Sequence, residues 1–287
     1  MKVNYTTVIA QRHVVNIKFG RVISIIVLSL YGLLIFFPMY WMITTALMGS
    51  SLVIKVPPEL FPTEITIKNF IDVLQKTEIL KWTWNTLLVS TIVSIVYVII
   101  SSMAGYAFAQ KRFPGRDGIF WLYISTLMLP YFSYLVPLYL LIVDMRLVDT
   151  FPGLILPALS GPFGTFLMKQ YMMSFPSEIA QSAKVDGCNE FVCFWKIVIP
   201  ICKPAVAFLA VVIFIGQWNN FLWPMIVTSS DNMRMLQLGI ALFQQQSVSD
   251  FGLIMASAAL ASIPVIILFF IFQRHIIGGI SIGALKG

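Results

Sequence analysis

Charge is scarce in this sequence. Of 287 residues, 11% are Asp, Glu, Lys or Arg and 59% are hydrophobic, whereas soluble domains carry about a quarter charged residues and about half apolar ones. The shortage is concentrated. Segments 22–54, 82–110, 118–143, 150–168, 204–230 and 251–273 hold no Asp, Glu, Lys, Arg or His at all. A helix needs about 20 such residues to cross a hydrocarbon core of about 30 Å, and five of the six segments exceed that length while the fourth nearly reaches it. Other absences narrow the function. The chain has no Gly-Lys pair, so it holds no P-loop. Without a titratable group in the apolar segments, coupling to an ion or proton has nothing to bind. Neither a nucleophile with its base nor a metal constellation is apparent for an intramembrane protease or transferase. The three cysteines, Cys188, Cys193 and Cys202, fall in one stretch and match no zinc spacing; they read as packing residues. Nucleic-acid binding, a secreted disulfide scaffold and a one-anchor enzyme are excluded in the same way. A chain of this kind that moves a solute uphill needs another chain to supply the energy.

What is present is an all-α membrane protein with six predicted transmembrane helices: 22–47, 82–108, 118–143, 152–173, 204–227 and 251–273. An even count puts both termini on one side. That side takes 13 of the 19 Lys and Arg but only four acids, Asp117, Glu178, Asp186 and Glu190, so both ends are expected in the cytoplasm. The net charge of +7 is thus a topology signal. The first apolar segment is too long for a cleavable signal and lacks a small-residue cleavage site, and it is expected to stay as the first span. The domain plan is a cytoplasmic segment 1–21, a membrane domain 22–273 with a cytoplasmic loop 174–203, and a cytoplasmic tail 274–287. Outer loops are expected at 48–81, 144–151 and 228–250. No segment is low-complexity, and no internal repeat is visible.

The loop carries the most specific pattern. Ser177 can cap a helix with Glu178 in its first turn, and Gly187 supplies the left-handed turn that ends it. Phe191, Phe194, Trp195 and Val198 then form one apolar stripe at i, i+3, i+4, i+7, closed by Pro200 and Pro204. The result is a helix–glycine turn–helix at the membrane surface, whose small residues Ser182 and Ala183 let another backbone come close. In the fifth span, Gln217, Asn219 and Asn220 either bond neighbouring helices or, with Trp218, line a solute path where amides meet hydroxyls and an aromatic ring stacks on a sugar. The many prolines read as kinks, with Pro130 and Pro224 the favoured gating points.

The spacing Gln181-Ser182-Ala183, then Asp186-Gly187, then nine residues to Ile197-Val198-Ile199-Pro200 resembles the signature of permease subunits of binding-protein-dependent ABC importers. It departs from that signature at Gln181 for Glu, Ser182 for Ala and Ile199 for Leu. Met128-Leu129-Pro130, Pro137-Leu138-Tyr139, Trp218-Asn219-Asn220-Phe221-Leu222-Trp223-Pro224 and the ending Gly283-Ala284-Leu285-Lys286-Gly287 look like the carbohydrate branch, in the manner of the second maltose permease. The resemblance covers the chain from about residue 22 onward. It implies an ABC importer permease fold with a cytoplasmic coupling helix in a bacterial inner membrane. It also implies a second permease subunit, two ATPase subunits, an extracytoplasmic solute-binding protein, surrounding membrane lipid and a sugar or oligosaccharide substrate. ATP and Mg would be used by the ATPases, with no cofactor bound by this chain, which would not itself be an enzyme. Glu178, Gln181, Ser182, Ala183, Asp186, Gly187, Ile197 and Pro200 would couple to an ATPase, Lys286 and Gly287 would enter the ATPase dimer interface, and the outer loop 228–250 would reach the binding protein. The alternatives are an ion-coupled secondary transporter, against which the uncharged spans speak, and a membrane scaffold without a transport role.

Overall fold

The structure, a computed structural model, describes residues 5–49, 61, 64–174, 187, 189–246 and 250–284. Among these residues there are helices and turns but no strand, only an isolated antiparallel bridge between Met48 and Ile65. The chain forms two compact units, Met1–Val73 with Ser247–Ala259 and Leu74–Gln246 with Leu260–Gly287.

In the first unit, helix α1 runs Tyr5–Ala46 and carries Pro38 inside it. It therefore starts well before the expected membrane entry at residue 22. Its end is fixed by Asn69, on helix α2 (Lys68–Lys76). The buried Asn69 amide donates to Ala46 O at 2.9 Å and Met48 O at 2.8 Å, occupying carbonyls that a helix terminus leaves without partners. Thr66 N–H adds a bond to Leu47 O at 2.8 Å.

The second unit is organised around α3, Ile79–Gln110, a 32-residue helix without proline. Two further helices, numbered α7 (Pro162–Met173) and α9 (Lys203–Trp218) in chain order, pack against it. A Cβ on Gly105 of α3 would stand 2.6 Å from Met168 Cβ of α7, and one on Gly164 of α7 would stand 2.4 Å from Ser101 Oγ and Tyr97 Cε1. The two helices meet through these glycines, which is how membrane helices bring backbones together without a hydrophobic drive between them. Tyr97 Oη secures the start of α7, donating to Gly161 O at 3.2 Å and accepting from Gly164 N–H at 3.1 Å.

Three helical segments are long and apolar enough to cross a membrane singly: Phe19–Ala46, Ile79–Gln110 and Phe251–Gln273, the last within α12 (Phe251–Ala284). The other three expected spans are each broken. Helices α4 (Arg116–Met128) and α5 (Tyr131–Asp144) meet at 101°, α6 (Phe151–Ala158) and α7 at 44°, and α8 (Glu190–Ile201) and α9 at 81°. Counting each bent pair as one span brings the candidate crossings from three to the expected six. The first bend falls at Pro130, whose backbone is extended at φ −60°, ψ 134°. Its ring and missing N–H stop α4 from continuing. Pro137, in contrast, stays inside α5. The expected fifth span, 204–227, is corrected more strongly. Helix α9 ends at Trp218, and a separate helix α10 covers Leu222–Val227. The expected outer loop 228–250 also holds a helix, α11 (Leu236–Gln246), with Leu236, Leu238 and Ile240 buried.

Candidate functional site

Three places in the second unit bring polar groups together. The first is the N-terminal end of α3. Asn85, buried, donates from its amide to Asn232 O and Arg234 O, both at 2.9 Å. Thr86 Oγ1 accepts from Leu236 N–H at 2.8 Å, and Lys81 Nζ donates to Asn232 Oδ1. The segment between α10 and α11 is thus held by three side chains of one helix. Asp149 holds its preceding residues: its carboxylate accepts from Ser229 N–H at 2.9 Å and Ser230 N–H at 3.0 Å, while its own N–H donates to Val227 O at 2.8 Å. Burial pushes the Asp149 carboxyl up, but the hydrogen bonds from Ser230 and Ser229 outweigh it, and the group sits below the usual carboxylate range. Asp149 and Arg146 also adopt φ of 58° and 56°, a conformation non-glycine residues avoid.

The second place is the break between α9 and α10. Gln217, Asn219 and Asn220 come together here, though as the end of one helix and the cap of another rather than as successive positions along a span. Asn219 is exposed; its amide donates to Ile215 O at 3.0 Å and its carbonyl accepts from Gln237 Nε2 at 3.4 Å. Asn220 is half-buried, donating to Gln217 Oε1 at 3.5 Å and accepting from Trp223 N–H at 3.4 Å. Trp218 is elsewhere. It is 1% exposed, stacks on Phe214 with ring centroids 5.8 Å apart, and donates its indole N–H to Ala261 O at 3.2 Å. In this conformation it offers no surface to a solute. Trp223 and Pro224 are buried too, and Trp223 Nε1 donates to Gly153 O at 3.1 Å.

The third place is the C-terminal end of α3 with α8. Gly187 has φ 81°, the left-handed conformation its position calls for, and a Cβ there would meet nothing within 4 Å. Glu178, Gln181, Ser182, Ala183 and Asp186, like Lys286 and Gly287, lie outside the described residues. Ile197 is half-buried and Pro200 exposed. Pro200 sits within α8 instead of closing it. The expected apolar stripe is divided: Phe194 and Val198 are buried, but Phe191 is 64% and Trp195 42% exposed. The helix has turned so that Cys193, fully buried as a free thiol like Cys202 just beyond the helix, faces inward with Phe194 and Val198, and a π-helical stretch over Phe194–Val198 shifts the angular register. Phe191 and Trp195 are left on the outer side. Glu190, at the start of α8, pairs with Lys111. The sequence reading passed over Glu190, Asn85 and Asp149 as site residues; an acid on the basic side and an Asn inside an apolar run were the available signals. Among the described residues no group of three or more His, Cys, Asp or Glu could hold a metal ion.

Broken apolar helices packed through glycines around one long helix, with the polar groups gathered at breaks and helix ends, describe a multi-pass membrane protein. Residues 98–281 match the family described as binding-protein-dependent transport system inner membrane component, and the chain belongs to that family. It is a transport subunit of the inner membrane and not an enzyme. Among its relatives, the arabinooligosaccharides transport system permease protein AraQ of Halalkalibacterium halodurans is 35% identical over 79% of this chain and 81% of that protein. AraQ of Bacillus subtilis is 31% identical over 96% and 99%. The sn-glycerol-3-phosphate transport system permease protein UgpE of Brucella abortus is 30% identical over 95% and 98%. A chain from the crystal structure of a bacterial ABC transporter involved in the import of the acidic polysaccharide alginate superposes with a TM-score of 0.78 at 20% identity, covering 90% of this chain and 96% of that one. The fold is that of an ABC importer permease.

Proposed function

We propose that this chain forms half of the membrane pathway of an ATP-driven importer that takes a sugar or oligosaccharide from an extracytoplasmic binding protein. The observation that carries the reading is the near end-to-end similarity, 96% of this chain and 99% of the relative, to a permease named for arabinooligosaccharide transport. A second permease subunit completes the pathway, and two ATPase subunits use ATP and Mg. Both termini lie in the cytoplasm, in keeping with the excess of Lys and Arg on that side. The loop around Gly187, with Glu178, Gln181, Ser182, Ala183, Asp186, Ile197 and Pro200, docks on an ATPase, and Lys286 and Gly287 reach the ATPase interface. Closure of the ATPases draws the loops together and rocks the helices between inward- and outward-open states. On the solute path we place Gln217, Asn219 and Asn220, whose amides suit hydroxyl-rich solutes, and leave Trp218 to packing. An ion-driven mechanism is disfavoured because segments 22–54, 82–110, 118–143, 150–168, 204–230 and 251–273 hold no Asp, Glu, His, Lys or Arg.

The test is the transporter purified through a tag on this chain and reconstituted in vesicles with its binding protein. Uptake of labelled arabinotriose or lactose requires ATP on the ATPase side and survives ionophores. Gly187→Val inserts normally but loses most of the uptake, and since a Cβ there meets nothing within 4 Å, the defect comes from the backbone, where a left-handed β-branched residue is strained by about 1–2 kcal/mol. Uptake abolished by collapsing the proton or sodium gradient at constant ATP refutes the ATP-driven reading, and full uptake by Gly187→Val refutes the docking.

A further inference from the structure

The coupling reading leaves open how motion at the loop reaches the membrane helices, and the contacts at the C-terminal end of α3 supply a route. Helix α8 begins three residues after Gly187, with Asn189 Oδ1 accepting from Val192 N–H at 2.8 Å to fix its first turn. Its first residue, Glu190, makes an ion pair with Lys111, the residue that caps the C-terminal end of α3, and accepts a hydrogen bond from Tyr106 Oη at 3.3 Å. Lys111 Nζ also lies 4.8 Å over the Tyr106 ring, and that ring packs on Phe194 of α8 with centroids 5.5 Å apart. One carboxylate therefore meets α3 at two points a little over one turn apart, and an aromatic contact from the same helix backs it up.

We propose that Glu190, Lys111 and Tyr106 form the joint through which movement of the loop is delivered to α3, with Glu190 and Lys111 as positioning residues of the transport cycle; this rests on the coupling function proposed above. The pair is too exposed, 30% at Lys111 and 51% at Glu190, to be explained by stability, because ion pairs in contact with water contribute little to it. Its geometry does something an apolar contact cannot. Phe194 against Tyr106 permits sliding and rolling, whereas a carboxylate held by an ammonium and a phenol fixes both register and rotation. Glu190 also runs against the charge bias of its side of the membrane, where acids number four against 13 basic residues.

The experiment uses the transporter isolated through a tag on this chain, with a spin label at Met103, an exposed position of α3 two turns before Lys111. ATP is the only probe, so the result does not depend on the identity of the sugar. In the wild-type complex ATP changes the label's spectrum. Glu190→Gln and Lys111→Met each retain ATP hydrolysis but show less than half of that spectral change, and the exchanged pair Lys111→Glu with Glu190→Lys recovers most of it. A full change in both single variants overturns the joint, as does an exchanged pair that recovers nothing. A drop in assembly with an undiminished change in the complexes that remain assigns the pair to structure alone and also overturns it. A wild-type complex that carries no ATPase, or whose label ignores ATP, fails the coupling reading itself, before any variant is made.

Discussion

Replacing Gly105 by Ala tests whether α3 and α7 meet backbone to backbone. The added Cβ would stand 2.6 Å from Met168 Cβ, 2.9 Å from Lys169 N and 3.0 Å from Met168 C. Carbon atoms rest at about 3.5–4.0 Å from one another, and none of these neighbours is the free end of a side chain that can swing aside. The helices must therefore part by about 1 Å along the contact, loosening Met168 and Met172, which are 0% and 1% exposed. Inserting one methyl group into a packed interior costs about 1–3 kcal/mol. Gly216 is the control, because a Cβ there meets nothing within 4 Å, and changes without new contacts usually stay within about 0.5 kcal/mol. Both variants are purified in the same detergent and unfolded reversibly, with tryptophan fluorescence as the signal. Gly105→Ala loses about 1–3 kcal/mol relative to wild type, and Gly216→Ala does not. Equal stability of the two variants refutes the close approach.

Three other perturbations follow from the geometry. Asn85→Ala removes both donors to Asn232 O and Arg234 O, hydrogen bonds worth about 0.5–1.5 kcal/mol each; stability falls and amide exchange at Leu236 accelerates, whereas unchanged exchange shows that Thr86 alone holds the segment. Asn220→Ala lowers stability because the residue caps Trp223 N–H and bonds Gln217, while exposed Asn219→Ala lowers sugar uptake with assembly intact; wild-type behaviour of both in a thermal-unfolding and uptake assay removes this segment from the solute path. The Asp149 carboxyl titrates below its usual range, so its contribution is fully present above the unfolded carboxylate value of about 3.9 and is lost as pH falls through the lower folded value. Ser229 and Ser230 amides therefore stay protected from pH 7 down to about 4 in wild type but exchange faster across that range in Asp149→Ala, and identical exchange in the two proteins shows that the carboxylate is not the clamp.

The membrane helices were legible because they depend on a one-dimensional property, the length of chain without charge, and the bilayer reads that property directly. Breaks were legible only where a covalent cause stood in the sequence. Pro130 marks the position of the first bend, but the 101° between α4 and α5 depends on what the two helices pack against. The break after Trp218 has no proline within it. There Asn219 bonds back to Ile215 O and Asn220 forward to Trp223 N–H, local alternatives to helix bonding that Asn side chains are known to offer; an unbroken apolar run hid them. The stripe in α8 was misplaced because periodicity gives the relative angles of side chains and not which face the neighbours bury, and the π-helical stretch changes even those angles. Lys111 and Glu190, like Asn85 and Arg234, are paired across long stretches of chain, and only the folded molecule brings them within reach.

Helix α3 is held at both of its ends by different parts of the chain, near its start by the bonds of Asn85 and Thr86 to residues 232–236 and at its finish by the pairing of Lys111 with Glu190. Both grips belong to one uninterrupted helix of 32 residues, about 48 Å long at about 1.5 Å per residue, with no proline at which it could fold. Such a helix resists compression, and a push or twist applied at one grip arrives at the other almost undiminished. Two parts of the chain far apart in sequence are thereby tied to opposite ends of a single stiff rod, while the neighbouring segments are the ones that bend, by 44° to 101°.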